Sequence, residues 1–158
     1  MRIVIQRARG ANVVIDGTRV ADFTGWGYVI LLGIESVDTL EDVDWLVRKV
    51  TMLRVFDDDN GVMNRSIIDI IGEHDGQDGE VIVVSQFTLF ASYKKGNRPS
   101  WLRAAPHHIS IPLYEAFISR LEAAIGHPVG HGEFGADMKV SLTNDGPVTI
   151  CMDSRNRE

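Results

Sequence analysis

Runs of β-branched and other apolar residues dominate the first third of the chain and predict β-strands. These runs lie at residues 3–5, 13–15 and 28–34. The run at residues 81–90 predicts a central strand, because it is apolar on both faces. Two closing strands are expected at residues 139–142 and 148–152, with a turn between them.

Two other segments repeat apolar residues at the three- and four-residue intervals of an amphipathic helix. The first covers residues 40–53, and Asp38 or Thr39 can cap its beginning. The second covers residues 110–125, with Pro112 in its first turn. Strands outnumber helices, so the pattern predicts an α+β fold with a mixed or antiparallel sheet.

The length and composition are those of one globular domain over residues 1–158. An apolar content of 44% allows a core without covalent staples. The single cysteine, Cys151, excludes a disulfide within the chain and favours a reducing compartment. It lies in an apolar run, where we expect it to be buried as a small hydrophobic side chain. No apolar run reaches the length of a membrane helix, so we expect a soluble, cytoplasmic protein without a membrane partner.

The charge of the chain is unevenly distributed. Its formal net charge is −6, which argues against a general polyanion-binding protein. Residues 1–15 and 94–103 nevertheless contain basic side chains and no acid. Such patches fit a protein that contacts nucleic acid at one defined place, but the charge alone favours ordinary solvated surface slightly.

Two short motifs carry most of the candidate chemistry. Residues 85–90, Ser-Gln-Phe-Thr-Leu-Phe, place hydroxyl groups and an amide at the end of the apolar run at residues 81–84. Residues 144–149, Asn-Asp-Gly-Pro-Val-Thr, place a stiff Gly-Pro pair before the last strand. Ser85 and Thr88 are candidate nucleophiles, but no histidine or carboxylate lies near them in the sequence to serve as a base.

Metal and nucleotide cofactors are not indicated. His127 and His131 have helical spacing, but Pro128 and Gly130 make a helix there implausible. The chain has no second cysteine, no phosphate-binding loop and no dinucleotide fingerprint. We therefore expect neither a metal nor a cofactor.

The order and spacing of several motifs resemble those of the D-aminoacyl-tRNA deacylases over nearly the whole chain. The resemblance rests on residues 1–7, 44–50, 63–64, 83–89, 95–100, 112–114, 134–138 and 144–149. Two features differ from the family pattern, a longer loop at residues 72–80 and Trp101, where a smaller aromatic residue is more common. Neither difference falls within the two motifs above.

The resemblance implies hydrolysis of the ester between a D-amino acid and the 3′-terminal adenosine of tRNA. It also implies a homodimer without metal or cofactor, and we expect a barrel-like sheet with helices packed on one side. By this analogy Gly146 and Pro147, joined by a cis peptide, enter the active site of the partner and reject L-amino acids, and Arg7 holds this motif. A filter that works by steric exclusion should also admit glycyl-tRNA.

The resemblance further assigns the adenine-binding and reacting groups. Phe134, Gly135 and Met138 are expected to seat the terminal adenine. Four residues are expected to line the scissile ester, namely Ser85, Gln86, Phe87 and Thr88. Catalysis in the family is attributed to main-chain donors and the substrate's 2′-hydroxyl, or to a threonine nucleophile at the position of Thr88. We favour the first, because no base for Thr88 is visible.

Two other functions remain open from the sequence. A non-catalytic, homodimeric RNA-binding module would explain the basic stretch 94–103 with its aromatic residues. A hydrolase of small esters or amides would use Ser85 or Thr88 as its nucleophile.

Overall fold

A computed structural model of the chain describes residues 1–157. It contains seven strands and four helices. The strands are β1 (Arg2–Ile15), β2 (Thr18–Gly33), β3 (Phe56–Asp57), β4 (Met63–Arg65), β5 (Glu80–Ser85), β6 (Gly130–His131) and β7 (Met138–Asp153). The helices are α1 (Leu40–Met52), α2 (Ile67–Ile70), α3 (Glu73–Gly76) and α4 (His107–Ile125). No helix among these residues is both long enough and apolar enough to cross a membrane.

Five strands form a mixed sheet in the order β6-β5-β2-β1-β7. The β1 strand pairs antiparallel with β2 and with β7, whereas β5 pairs parallel with β2 and with β6. The β5 strand is therefore interior, as its apolar faces predicted. The β3 and β4 strands form a separate hairpin. This arrangement confirms the predicted α+β class with a mixed sheet.

The strands of the large sheet are longer than the sequence pattern suggested. The first two predicted strands are one continuous strand, β1, and the two closing strands are likewise one strand, β7. Gly10 does not end β1, because the pairing with β2 shifts register between Arg9 and Ala11 and then continues. Glycine within a strand often marks such a bulge.

The predicted strand at residues 81–90 ends early. The β5 strand stops at Ser85, and residues Phe87–Phe90 form a 3₁₀ turn. Gly33 makes room for this turn, because a β-carbon at Gly33 would lie 3.0 Å from the carbonyl oxygen of Gln86. The close approach brings the turn against the end of β2.

The helices follow the predicted caps with one difference in position. Thr39 caps α1 through a capping box with Asp42, and Gly126 ends α4 in a left-handed conformation. However, α4 begins at His107 rather than Ser110, so Pro112 lies inside the helix and not in its first turn. Because proline has no N–H, Pro112 cannot donate to the carbonyl four residues earlier, which belongs to the first turn of the helix.

The helices cover one face of the sheet. The larger buried cluster combines α1, α2 and α4 with one face of β1, β2 and β5, whereas a smaller cluster on the other face contains strand residues only. The prediction that Cys151 is buried was wrong, because its side chain is exposed. It alternates along β7 with the inward-facing Ile150 and Met152, and such alternation sends every second residue outward.

Candidate active site

A cavity of about 460 Å³ lies where the carboxyl end of β5 meets the beginning of α4. Six of the ten predicted site residues line it, namely Ser85, Gln86, Phe87, Phe134, Gly135 and Met138. The remaining wall is mostly apolar, and none of its lining residues in the described chain is an acid. A polar strand end facing an apolar wall suits a ligand with a flat hydrophobic part and a polar reacting group.

The backbone at the strand end presents unpaired donors. The N–H of Gln86 donates to the carbonyl of Leu32 at 2.8 Å, and the carbonyl of Gln86 accepts from the N–H of Leu89 at 3.3 Å. Within residues 1–157, the N–H groups of Phe87 and Thr88 have no hydrogen-bond partner. Two adjacent free N–H groups can stabilise an oxyanion if a carbonyl carbon reacts in front of them.

The side chain of Thr88 is turned toward Gln86 instead of the cavity. The amide nitrogen of Gln86 donates to the hydroxyl oxygen of Thr88, and Thr88 is not among the cavity-lining residues. An amide cannot accept the proton that a nucleophilic hydroxyl must lose. Among the described residues, no carboxylate or histidine is hydrogen-bonded to Thr88.

Aromatic contacts hold the opposite wall of the cavity. Phe134 meets Tyr114 edge-on at a centroid distance of 5.6 Å, and it meets His107 in the same manner at 5.5 Å. The hydroxyl of Tyr114 donates to the carbonyl of Val83 at 2.9 Å. Burial raises the pKa of Tyr114 well above its usual value, so this donor stays protonated. The wall that carries Phe134 is therefore anchored to β5.

The sequence did not indicate the contribution of α4. Pro106, His107 and Ser110 line the cavity, because α4 begins one turn earlier than its apolar spacing suggested. His107 brings an ionisable group into the cavity that contains Ser85, although no hydrogen bond joins the two side chains in the described structure. The end of β5 and the beginning of α4 are more than twenty positions apart in the sequence. Their proximity depends on packing, so no short sequence pattern could predict it.

The second motif lies far from this cavity in the same chain. The Gly146–Pro147 peptide is cis, and both residues are exposed. Ser85 pairs with Leu32, Leu32 pairs with Ile3, and Ile3 pairs with Met152. These four residues therefore form one row across the sheet. Pro147 lies five positions before Met152, which corresponds to roughly 20 Å from Ser85 along a flat sheet. Neither Gly146 nor Pro147 is among the residues that line the cavity.

Arg7 is buried and fixes the segment that precedes the Gly-Pro pair. Its guanidinium donates to the carbonyl of Asp145 at 3.1 Å and to the carboxylate of Asp145 at 3.3 Å. It also donates to the carbonyl of Val55 at 2.6 Å and to Asp57 at 3.3 Å. The contact with Gly146 is close, because a β-carbon there would lie 3.0 Å from an Arg7 nitrogen. Gly146 has a φ of 123°, a backbone conformation that residues with a β-carbon rarely adopt.

The loop at residues 72–80 forms a cluster that the sequence did not suggest. Glu73, His74 and Asp78 place potential metal-ligand atoms within 4.8 Å of one another. However, Arg65 pairs with Glu73, and one oxygen of Asp78 accepts the N–H of Trp26 at 2.8 Å. His74 bonds to the other oxygen of Asp78. Each of the three side chains in the cluster therefore already has a hydrogen-bond partner within the chain.

Comparison with known proteins places the chain in a family. The family model described as D-Tyr-tRNA(Tyr) deacylase matches residues 4–153. The D-aminoacyl-tRNA deacylases of Phocaeicola vulgatus and Bacteroides thetaiotaomicron are 55% and 56% identical over 158 residues, which cover 100% of each chain. The solved structure of c-Myc DNA Unwinding Element Binding Protein is similar with a TM-score of 0.84 and 35% identity, covering 97% of this chain and 98% of that chain.

Proposed function

Because this chain belongs to the D-Tyr-tRNA(Tyr) deacylase family, we propose that it is a D-aminoacyl-tRNA deacylase acting as a single domain over residues 1–158. Its reaction is hydrolysis of the ester between a D-amino acid and the 3′-terminal adenosine of tRNA. The products are the free D-amino acid and tRNA. The reaction is proposed to need no metal or cofactor.

The observation that supports this proposal most strongly is the pair of free N–H groups beside an apolar cavity. In the proposed complex the adenine packs against Phe134, Gly135 and Met138, and the ester carbonyl accepts from the N–H groups of Phe87, which lines the cavity, and of Thr88, the next residue. Water adds its oxygen to the carbonyl carbon and releases a proton to the neighbouring 2′-hydroxyl oxygen, and the N–H groups stabilise the oxyanion. The bond to the 3′-oxygen then breaks, and that oxygen takes a proton. The neighbouring 2′-hydroxyl is already in position to relay it.

Rejection of L-amino acids is assigned to Gly146 and Pro147 of a second copy. The pair is exposed and is not among the residues that line the cavity of its own chain, which supports its placement at the cavity of another copy. A backbone wall at this position collides with an L side chain and leaves a D side chain free. The proposed assembly is a homodimer, and the sheet of each subunit is proposed to curl into a barrel-like form.

Glycyl-tRNA is proposed as a second substrate. Glycine has no side chain to meet the wall, so a filter that acts only by steric exclusion admits it. Turnover of glycyl-tRNA should therefore approach that of D-alanyl-tRNA and exceed that of L-alanyl-tRNA. Equal resistance of glycyl- and L-alanyl-tRNA would contradict a purely steric filter.

The proposed activity is tested by hydrolysis of matched D- and L-aminoacyl-tRNA pairs, such as D- and L-tyrosyl-tRNA. We expect release of the D-amino acid and retention of the L-amino acid on tRNA. The same preparation with Phe134→Ala controls for a contaminating esterase, because this change removes part of the cavity wall. Equal rates for both enantiomers, or no hydrolysis of either, would reject the proposal.

The similar DNA unwinding element binding protein supports a second candidate function. Its name describes DNA binding without chemistry, and it shares 35% identity with this chain. A nucleic-acid-binding module would bind tRNA or DNA and leave the aminoacyl ester intact. The same deacylation assay separates this candidate from the enzyme.

A further inference from the structure

A basic hairpin adjoins the cavity, and the site described above does not use it. Reciprocal hydrogen bonds of 2.8 Å join the backbones of Ser92 and Ser100, and they close the intervening residues into a hairpin. We name residues 92–100 the basic hairpin. It carries Lys94, Lys95 and Arg98, all exposed.

The three cations of the basic hairpin are not neutralised. Within residues 1–157, none of them forms an ion pair, whereas the nearby Arg103 is paired with Glu35 at 2.7 Å. Arg103 also has a different role from the three hairpin cations. Its ion pair with Glu35 fixes residues 103–104 to the end of β2. On a chain with a net charge of −6, three unpaired cations on one hairpin form a local anion-attracting surface.

The hairpin is continuous with the rim of the cavity. Trp101, the residue after the hairpin, packs edge-on against Phe87 at a centroid distance of 5.4 Å. Phe87 itself lines the cavity, and so do Ala104 and Ala105 a few residues further on. The N–H of Ala105 donates to the carbonyl of Ile34 at 2.9 Å, which fixes this connection to the sheet.

Exposed aromatic and apolar side chains accompany the charges. Tyr93 is 76% exposed and Leu102 is 95% exposed, and Trp101 is 39% exposed beside Phe87. Cations that meet phosphates, alternating with flat side chains on which bases stack, are the recognition surface for a nucleic-acid strand. An acidic protein partner would not need the aromatic faces.

We propose that the basic hairpin binds the sugar–phosphate backbone of the tRNA acceptor end while its terminal adenosine occupies the cavity. This assignment rests on the proposed deacylase function and extends it beyond the terminal nucleotide. Lys94, Lys95 and Arg98 contact phosphates, and Tyr93 and Trp101 offer stacking faces to unpaired bases of the 3′ end. The contacts are independent of sequence, so they raise the affinity for any tRNA.

The test compares a triple variant, K94Q/K95Q/R98Q, with a matched control, R19Q/R48Q/R54Q. The control removes three exposed arginines that do not line the cavity. For the hairpin variant we expect the dissociation constant for uncharged tRNA to rise at least about tenfold at 0.1 M salt. When the logarithm of this dissociation constant is plotted against the logarithm of the salt concentration, the slope should fall by about 2. This corresponds to roughly 0.7 for each lost phosphate contact. The control should change both quantities far less.

A substrate without phosphates completes the test. With D-aminoacyl-adenosine, the hairpin variant should retain the kcat/KM of the unaltered protein within about twofold, whereas its KM for D-aminoacyl-tRNA should rise with its dissociation constant. Equal changes in the hairpin and control variants would overturn the docking proposal, and so would an equal loss on D-aminoacyl-adenosine. Failure of the unaltered protein to hydrolyse either substrate would instead reject the proposed function.

Discussion

The two motifs of this chain differ in how completely their own chain surrounds them. Residues 85–87 line a formed cavity, with Phe134 and the beginning of α4 opposite them. Gly146 and Pro147 are exposed, although Arg7 and Asn144 brace the segment from behind, the latter by accepting the N–H of Val148 at 2.8 Å. A rigid surface feature that is exposed and braced from behind is suited to act on a neighbour. The comparison suggests that one motif performs the chemistry and the other controls access.

Removal of the substrate's 2′-hydroxyl should have the largest effect. A D-aminoacyl-tRNA ending in 2′-deoxyadenosine is expected to be hydrolysed about 10³-fold more slowly, because the 2′-hydroxyl is the proposed proton relay and Thr88 is hydrogen-bonded to an amide and not to a base. Single-turnover rates against the normal tRNA measure this loss, with binding of both tRNAs as the control. A rate within tenfold of normal would assign the proton transfer to the protein, with His107 the first residue to examine.

The next effect should come from the exposed motif. Pro147→Ala is expected to raise hydrolysis of L-tyrosyl-tRNA by about 10²-fold and to change hydrolysis of D-tyrosyl-tRNA much less, because the change softens the wall and leaves the cavity intact. Pro128→Ala, at another exposed proline, is the matched control. If Pro147→Ala lowered the rates of both enantiomers equally, the motif would belong to the chemistry and not to the filter.

The brace behind the motif should have a smaller effect, measured as stability. Arg7→Gln removes several hydrogen bonds of a buried guanidinium, and we expect the free energy of unfolding to fall by about 2 kcal/mol. This corresponds to roughly 30-fold in the folding equilibrium. Urea unfolding measures it, and Arg19→Gln at an exposed arginine should remain within about 0.5 kcal/mol of the unaltered protein. A similar result for both variants would show that Arg7 is not a brace.

The smallest effect is expected at Thr88. Thr88→Ala should reduce the single-turnover rate by less than about tenfold, because its hydroxyl meets Gln86 and its N–H group, which the substitution retains, is the proposed donor. A nucleophile at this position would instead cost several orders of magnitude. Such a loss in a folded variant with normal tRNA affinity would establish Thr88 as the nucleophile.

The sequence predicted the elements better than their ends. The central position of β5, the cap at Thr39 and the end of α4 followed from local patterns. The length of β1 did not, because Gly10 has the same sequence signal whether it ends a strand or forms a bulge. The start of α4 was misplaced for a similar reason, since its first turn is not apolar and the signal of amphipathic spacing begins only later.

The candidate site shows the same division between local and long-range information. Ser85 and Gln86 could be identified because they end a recognisable strand. The burial of Arg7 could not be decided from the sequence, because it shares a strand face with Ile3 and Ile5 while Val4 on the other face is also apolar. The contribution of α4 to the cavity depends on packing across the sheet, and the exposure of Cys151 depends on which face of β7 is covered. Neither property is encoded in a short window of sequence.

The central claim, that the filter of one subunit guards the cavity of the other, is tested most directly by a mixed dimer. One subunit carries Phe134→Ala and an intact Gly-Pro pair, and the other carries Pro147→Ala and an intact cavity; two affinity tags isolate the heterodimer after co-expression. We predict that hydrolysis of L-tyrosyl-tRNA per intact cavity falls to the level of the unaltered protein, while D-tyrosyl-tRNA is still hydrolysed. Hydrolysis of L-tyrosyl-tRNA at the rate of the Pro147→Ala homodimer, or the failure of any dimer to form, would contradict the account.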